Sequence, residues 1–273
     1  MDFKILTKKL GFCEEAERFI FDFDKNYRHA DFAPHWEKLY AAGEEAEGLN
    51  GLRAALAPDP DGMKILVCML HCALHTHEAY RARGIPDRIF FETMRFLPRF
   101  VNARARVYGR PIFPNDRWFY RELSLREFRL GALEYEMLAD NGERKISVHI
   151  PEKADLSLPS LRASLREARK FFAEFFPEYA DAEMYCDSWL MSPALKELLP
   201  ASSNILGFQN GFELVRWDKE SDACLDWIFP RRDMPPEQLA ENTSLQRKAK
   251  AYLIGGGKIG WALGKMKKHP FAE

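Results

Sequence analysis

Residues 145–175 read KISVHIPEKADLSLPSLRASLREARKFFAEF, and this stretch decides the fold. Its first six residues alternate apolar side chains with Ser147 and His149, which predicts a strand with one buried face. Ser157 is a favourable N-cap and Pro159 suits a first helical turn, after which apolar residues follow helical spacing. A strand that leads directly into an amphipathic helix is the first half of a βαβ unit.

The sequence on either side completes this unit. Upstream, Asn141-Gly142 is a strong hairpin signal, so residues 128–139 are predicted to pair with residues 145–150. The apolar positions change parity near Gly131, which predicts a β-bulge within the first of these strands. Downstream, residues 183–190 supply the second, parallel strand of the βαβ unit.

The last ninety residues are predicted to alternate helices and strands. A short helix opens at Ser192-Pro193, and residues 205–217 and 224–229 are predicted to contain two strands that pair with each other. Residues 235–254 are predicted to form a final helix. The glycines at 255–257 would then end that helix and begin a flexible basic tail.

The N-terminal part of the chain has a different character. Helix-period apolar residues recur as far as about residue 120, most clearly over residues 63–83, and residues 109–116 have the composition of a loop. We therefore expect an α+β protein with two domains, a helical domain over residues 1–120 and a sheet domain over residues 121–273. A chain of 273 residues has room for two cores.

Composition limits the class of protein. Hydrophobic residues make up 47 % of the chain and the net charge is -1, which is typical of a globular protein and gives no electrostatic basis for a nucleic-acid partner. No apolar run reaches the roughly 20 residues of a membrane helix, so no membrane partner is expected. Five scattered cysteines and the absence of a signal-peptide pattern predict a soluble, cytoplasmic protein.

Four local motifs stand out in the C-terminal half: FRLGALEYE at 128–136, HIPE at 149–152, CDSWL at 186–190 and LLPASSNI at 198–205. They resemble a bacterial acyltransferase family that joins a helical acyltransferase N-terminal domain to a GNAT-like C-terminal domain. The resemblance covers nearly the whole chain and is most specific in the C-terminal half.

This resemblance implies a helical domain followed by a GNAT-like mixed sheet with flanking helices. It also implies an N-acyltransferase that moves an acyl group from acetyl-CoA or another acyl-CoA to a small-molecule or peptide amine. Pantetheine would lie between the two parallel strands. The residues expected to bind the donor follow the first of these strands: Ile150, Pro151, Lys153, Ser157 and Leu158.

The chain departs from the GNAT pattern in one important place. Typical members have a glycine-rich loop that offers backbone N–H groups to the CoA pyrophosphate, and here that segment is Glu152-Lys153-Ala154-Asp155-Leu156-Ser157, without glycine. The free N–H groups at a helix start still suit a phosphate. A non-catalytic GNAT-like module that binds a metabolite or a protein is therefore the alternative function.

Four residues are candidates for catalysis. His149 ends the first parallel strand and has the proton affinity of a general base, although it could instead order the turn before Pro151. Ser188 and Ser203 are candidates for protonating the leaving thiolate or donating to the oxyanion. Glu134, together with Glu136, is expected to face the acceptor amine, unless these strand positions are simply a solvated sheet face.

Two other groups have less support. Cys186 is a candidate nucleophile, but buried strand cysteines usually only pack. On one helix, Cys68, His71, Cys72 and His75 offer two pairs at i,i+4 spacing, although nothing nearby completes a set of four zinc ligands. No metal site is expected.

Overall fold

A computed structural model describes residues 1–229, 231 and 234–271, and it confirms the α+β class. The chain forms two compact units, residues 1–129 and residues 130–273. The boundary proposed from the sequence, between residues 120 and 121, lies inside the helix Asp116–Leu123.

The first unit is helical. Its α-helices are α1 (Phe3–Leu10), α2 (Glu14–Asp24), α3 (Ala33–Trp36), α4 (Glu45–Ala55), α5 (Met63–Ala82), α6 (Asp87–Met94), α7 (Phe96–Tyr108) and α8 (Asp116–Leu123). The long helix α5 forms its core, because side chains on most sides of α5 are buried, including Leu66, Val67 and Leu70. Within the described part of the chain, every helix is too short or too polar to span a bilayer.

The second unit is built on a mixed sheet. Its strands are β1 (Glu127–Leu130), β2 (Leu133–Asp140), β3 (Glu143–His149), β4 (Glu183–Ser188), β5 (Phe212–Asp218) and β6 (Trp261–Met266). The spatial order is β1-β2-β3-β4-β6-β5. Its helices are α9 (Leu158–Phe175), α10 (Leu195–Leu198), α11 (Asn204–Gln209), α12 (Leu225–Ile228) and α13 (Ser244–Ile254).

The predicted hairpin and βαβ unit are both present. Strands β2 and β3 pair antiparallel around the turn at Asn141-Gly142, where both residues have positive φ. Strand β4 pairs with β3 in parallel after the crossover helix α9. Helix α9 covers one face of the sheet, since the rings of Tyr135 on β2 and Phe172 on α9 pack with centroids 6.4 Å apart.

The parity change near Gly131 proves to be a turn and not a bulge. Gly131 has φ +65 and separates β1 from β2, which are neighbours in the sheet. The hydroxyl of Ser164 on α9 donates to the Leu130 carbonyl and accepts the Leu133 N–H, so the helix holds both sides of this turn. A Cβ at residue 131 would lie 3.1 Å from the Ser164 Cα, and this tight approach together with the positive φ favours glycine.

Three predictions for the C-terminal region were wrong. Residues 225–228 form helix α12 instead of a strand, and α13 begins at Ser244 instead of near residue 235. The residues predicted to be a flexible tail contain β6, an inner strand between β4 and β5. Short segments of alternating residues with a glycine carry a weak strand signal, and the neighbours that stabilise β6 are distant in sequence.

Candidate active site

The parallel strands β3 and β4 pair over only part of their length. Their ladder joins residues 145–147 to residues 183–185, whereas β3 continues to His149 and β4 continues to Ser188. On its other edge β4 pairs with β6 from Tyr185 to Ser188. The ladder between β3 and β4 therefore ends before the carboxyl ends of both strands, where ligands of βαβ units commonly bind.

Beside this ladder end, His149 and Glu136 form a hydrogen-bonded pair. The His149 Nε2 lies 2.9 Å from the Glu136 Oε2. The Glu136 side chain is mostly buried, and His149 is partly exposed. When the carboxylate accepts the Nε2–H, the opposite nitrogen, Nδ1, carries the lone pair that accepts a proton. This is the arrangement of a general base oriented by a carboxylate.

Register places a second carboxylate on the same face of the sheet. Glu134 is directly opposite His149, and Glu136 is directly opposite Ser147, and residues opposite one another in an antiparallel pair share a face. Glu134 is buried. The structure thus brings together two of the four predicted catalytic residues, His149 and Glu134, and adds Glu136 as the direct partner of the imidazole.

The same polar face continues onto β4 and β6. Ser147 is opposite Tyr185 in the parallel register, so Tyr185 and Asp187 face the same side as His149. The Asp187 Oδ1 accepts the indole N–H of Trp261 at 2.7 Å. Asp187 is exposed and lies two residues beyond Tyr185, the last residue of β4 that pairs with β3, so it stands across the ladder end from His149.

Ser188 and Ser203 both lie at the starts of helical turns. The Ser188 hydroxyl accepts the Leu190 N–H at 3.2 Å, directly after β4. The Ser203 hydroxyl accepts the Ile205 N–H at 3.3 Å as the N-cap of α11. These contacts give each serine a structural role, and catalytic roles for Ser188 and Ser203 stay predictions.

The predicted donor-binding residues line the connection from β3 to α9. Pro151 is buried and its carbonyl accepts the Ala154 N–H at 3.0 Å, while Lys153 has φ +64. Leu158 is 42 % exposed at the first position of α9, so it is available to a ligand. Ile150 packs against a small apolar core that includes Leu190.

Ser157, the predicted N-cap, forms hydrogen bonds with a neighbouring carboxylate. The Ser157 N–H donates to the Asp155 Oδ1 at 2.9 Å, and the Ser157 hydroxyl donates to the Asp155 Oδ2 at 3.0 Å. These two hydrogen bonds hold the pKa of the Asp155 carboxyl below its usual range. Sequence reasoning named Asp155 only as part of a loop without glycine, and the Asp-x-Ser spacing is the signal that would have identified the turn.

The cysteine candidates do not gain support from the structure. Cys186 is fully buried, and burial raises the pKa of its thiol well above the usual range, which disfavours the thiolate. On α5, no three ligand atoms from Cys68, His71, Cys72 and His75 lie within 4.8 Å of one another. His71 instead binds Asp24, with the two atoms 2.6 Å apart.

Comparison with known proteins agrees with this architecture. Three crystal structures of an acyltransferase share the fold at 22 % identity: with decanoyl-CoA and teicoplanin, with CoA and 10C-teicoplanin, and with decanoyl-CoA. Their TM-scores are 0.69, 0.69 and 0.68, and they cover 98 %, 98 % and 97 % of this chain and 100 %, 99 % and 99 % of their own. No protein of curated function matches the chain.

Two family models together account for nearly all of the sequence. An N-acyltransferase N-terminal domain matches residues 1–125, and a GNAT-like C-terminal domain matches residues 127–266. The second match alone spans half of the 273 residues and contains the β3–α9–β4 unit. The chain therefore belongs to the family of acyltransferase-like proteins that join an N-acyltransferase N-terminal domain to a GNAT-like C-terminal domain.

Proposed function

We propose that this protein is a CoA-dependent N-acyltransferase that transfers an acyl group to an amine. The observation that carries the proposal is the early end of the β3–β4 ladder beside the His149–Glu136 pair. A gap between two parallel strands suits the pantetheine arm, whose amides resemble a strand's backbone. The alternative of strands closed along their whole length would leave no such slot.

The residues of the site suit direct attack by the amine. His149 takes a proton from the acceptor ammonium, and Glu136 stabilises the resulting imidazolium. The neutral amine then attacks the thioester carbonyl carbon with its lone pair. The nitrogen then loses its second proton as the C–S bond breaks, and the sulfur leaves as a thiolate that takes up a proton. Ser188, the last residue of β4, is our candidate to relay this proton, because its hydroxyl can give one proton to the sulfur and regain one from the nitrogen. Glu134 is our candidate to bind the acceptor ammonium.

The related structures guide the choice of substrates. They contain decanoyl-CoA, CoA and teicoplanin, so we propose that medium-chain acyl-CoA should be tested beside acetyl-CoA, with small-molecule amines as acceptors. We also propose two functional domains, with the donor site in the GNAT-like domain and its predicted contacts at Ile150, Pro151, Lys153, Ser157 and Leu158.

The test is release of free CoA thiol from acetyl-, octanoyl- and decanoyl-CoA in the presence of an amine panel. We expect amine-dependent thiol release, and a His149→Ala variant should be slower by about 10²- to 10⁴-fold. His269→Ala, which changes an exposed histidine, is the control and should keep the full rate. An unchanged rate in His149→Ala would refute the assignment of the base.

One observation favours a second function, a GNAT-like module without catalytic activity. The segment before α9 lacks glycine and contains the internally bonded Asp155. If no acyl-CoA raises the melting temperature and no amine releases thiol, the non-catalytic module becomes the better description. At about 100 times its Kd, a bound acyl-CoA should stabilise the protein by roughly 2.7 kcal/mol.

A further inference from the structure

Three hydrogen-bond donors in the connection between β3 and α9 find their acceptors within the connection itself. Ala154 N–H donates to the Pro151 carbonyl, and Ser157 N–H donates to the Asp155 carboxylate. The Ser157 hydroxyl donates to the other oxygen of the same carboxylate at 3.0 Å. A negative group of this chain therefore lies beside the start of α9, where an anion would otherwise bind.

The charge of this connection also opposes a diphosphate. Residues 150–157 contain two carboxylates, Glu152 and Asp155, and one ammonium, Lys153, which gives a net charge of -1. The Lys153 Nζ lies 3.7 Å from the Glu152 carboxylate. The next cation, Arg162 on α9, donates its Nε–H to the carbonyl of Phe271. A diphosphate here would meet a carboxylate at close range, and the two cations of residues 150–162 already have anionic or carbonyl partners.

The proposed pantetheine site, in contrast, has both features on which the proposed function rests. The β3–β4 ladder still ends early, and the His149–Glu136 pair still lies beside that end. The pantetheine arm is uncharged and binds mainly to strand backbone, so the carboxylates of the connection before α9 do not oppose it. The two halves of the donor thus meet different conditions, favourable for the arm and unfavourable for the diphosphate.

We propose that Asp155 is a specificity-determining residue of the donor site, which selects pantetheine thioesters largely through the arm and acyl chain. The diphosphate and nucleotide of CoA then add little affinity. This inference rests on the proposed function, because it assumes that the gap between β3 and β4 takes a pantetheine arm. The donor class is acyl thioesters of pantetheine, whether the arm is free, phosphorylated or part of CoA.

The test compares the Kd values of CoA, 4′-phosphopantetheine and pantetheine by calorimetry. For the unmodified protein we expect the three Kd values to agree within about tenfold, since a built diphosphate site with charge-assisted hydrogen bonds would give CoA an advantage of about 100-fold or more. An advantage of that size would overturn the inference while supporting the proposed function. No binding of any of the three would overturn both.

The Asp155→Asn variant tests the residue itself. Asparagine keeps an oxygen that accepts the Ser157 N–H, so the turn should persist while the charge is lost. We expect CoA to bind about five- to tenfold more tightly and pantetheine to bind as before. Asp181→Asn removes an exposed carboxylate beyond the far end of α9, about 27 Å along the helix, and should leave all three Kd values unchanged. An unchanged CoA affinity in Asp155→Asn would refute the role of Asp155.

Discussion

His149 and Glu136 meet because β2 and β3 pair in one particular register. Glu134 lies opposite His149 in the ladder, yet Glu136, one position further on the same face, makes the 2.9 Å hydrogen bond. Such diagonal contacts are within reach of long side chains on adjacent strands. The imidazole is therefore fixed by a mostly buried carboxylate, with a second carboxylate beside it.

At this scale we predict the effect of Glu136→Gln. The amide keeps the size of the side chain but does not stabilise the imidazolium, so kcat should fall by about tenfold or more while KM for acyl-CoA stays the same. Steady-state kinetics with a fixed amine measures both values. Glu143→Gln, an exposed change at the start of β3, is the control. A rise in KM without a fall in kcat would assign Glu136 to substrate binding.

Helix α9 connects the fold to the site at the scale of a single element. Its inner face packs on the sheet through fully buried Leu161 and nearly buried Phe172, and its Ser164 holds the turn between β1 and β2. Its first residue, Leu158, is 42 % exposed at the end nearest the predicted donor site. One helix thus has a stabilising face and a solvent-facing start.

Two leucines of α9 should separate these roles. Leu161→Ala removes a fully buried side chain, so the free energy of unfolding should fall by about 2–5 kcal/mol. Leu158→Ala should cost well under 1 kcal/mol but weaken acyl-CoA binding if Leu158 contacts the donor. Urea denaturation and calorimetric titration measure the two effects. Equal losses of stability in both variants would contradict the burial described here.

At the scale of the whole molecule, the N-terminal unit contains a stack of aromatic and histidine rings. His29 stacks on Trp36 with ring centroids 4.6 Å apart, and it also lies against His71 and His75, at 5.2 and 5.6 Å. Burial, followed by the charges of His71 and His75, lowers the pKa of His29 to about 3. The Tyr27 hydroxyl oxygen lies 3.1 Å from the His29 Nδ1, and the Asp24 carboxylate binds the neighbouring His71.

This stack predicts acid sensitivity of the fold. An unfolded chain protonates His29 below about pH 6.5, whereas the folded chain does so only near pH 3, so stability should fall as the pH falls through that window. The slope is at most about 1.4 kcal/mol per pH unit and is reduced because the ring is partly exposed. Thermal midpoints at pH 7 and pH 4.5 measure the loss.

The His29→Phe variant provides the check on this prediction. Phenylalanine keeps the stacking on Trp36 but does not titrate, so the difference between the two thermal midpoints should become smaller. His269→Gln, at an exposed position, should leave that difference unchanged. If His29→Phe shows the same difference as the unmodified protein, the acid sensitivity originates elsewhere.

Several features of this protein follow from local sequence alone. The Asn141-Gly142 turn, the alternation around His149 and the start of α9 at Ser157 are set by backbone preference and apolar period, which act over a few residues. These signals were enough to predict the α+β class, the hairpin, the βαβ unit and the position of His149 at a strand end.

Other features were decided only when the chain folded. The place of β6 between β4 and β5, the early end of the β3–β4 ladder and the choice of Glu136 as the partner of His149 each join residues that are distant in sequence. These contacts depend on the side chains and backbone of a distant partner strand, so neither propensity nor spacing predicts them. The sequence by itself therefore determined the hairpin, the βαβ unit and the place of His149, and the tertiary structure decided where the β3–β4 ladder ends and that Glu136 is the partner of His149, because both are properties of strand register.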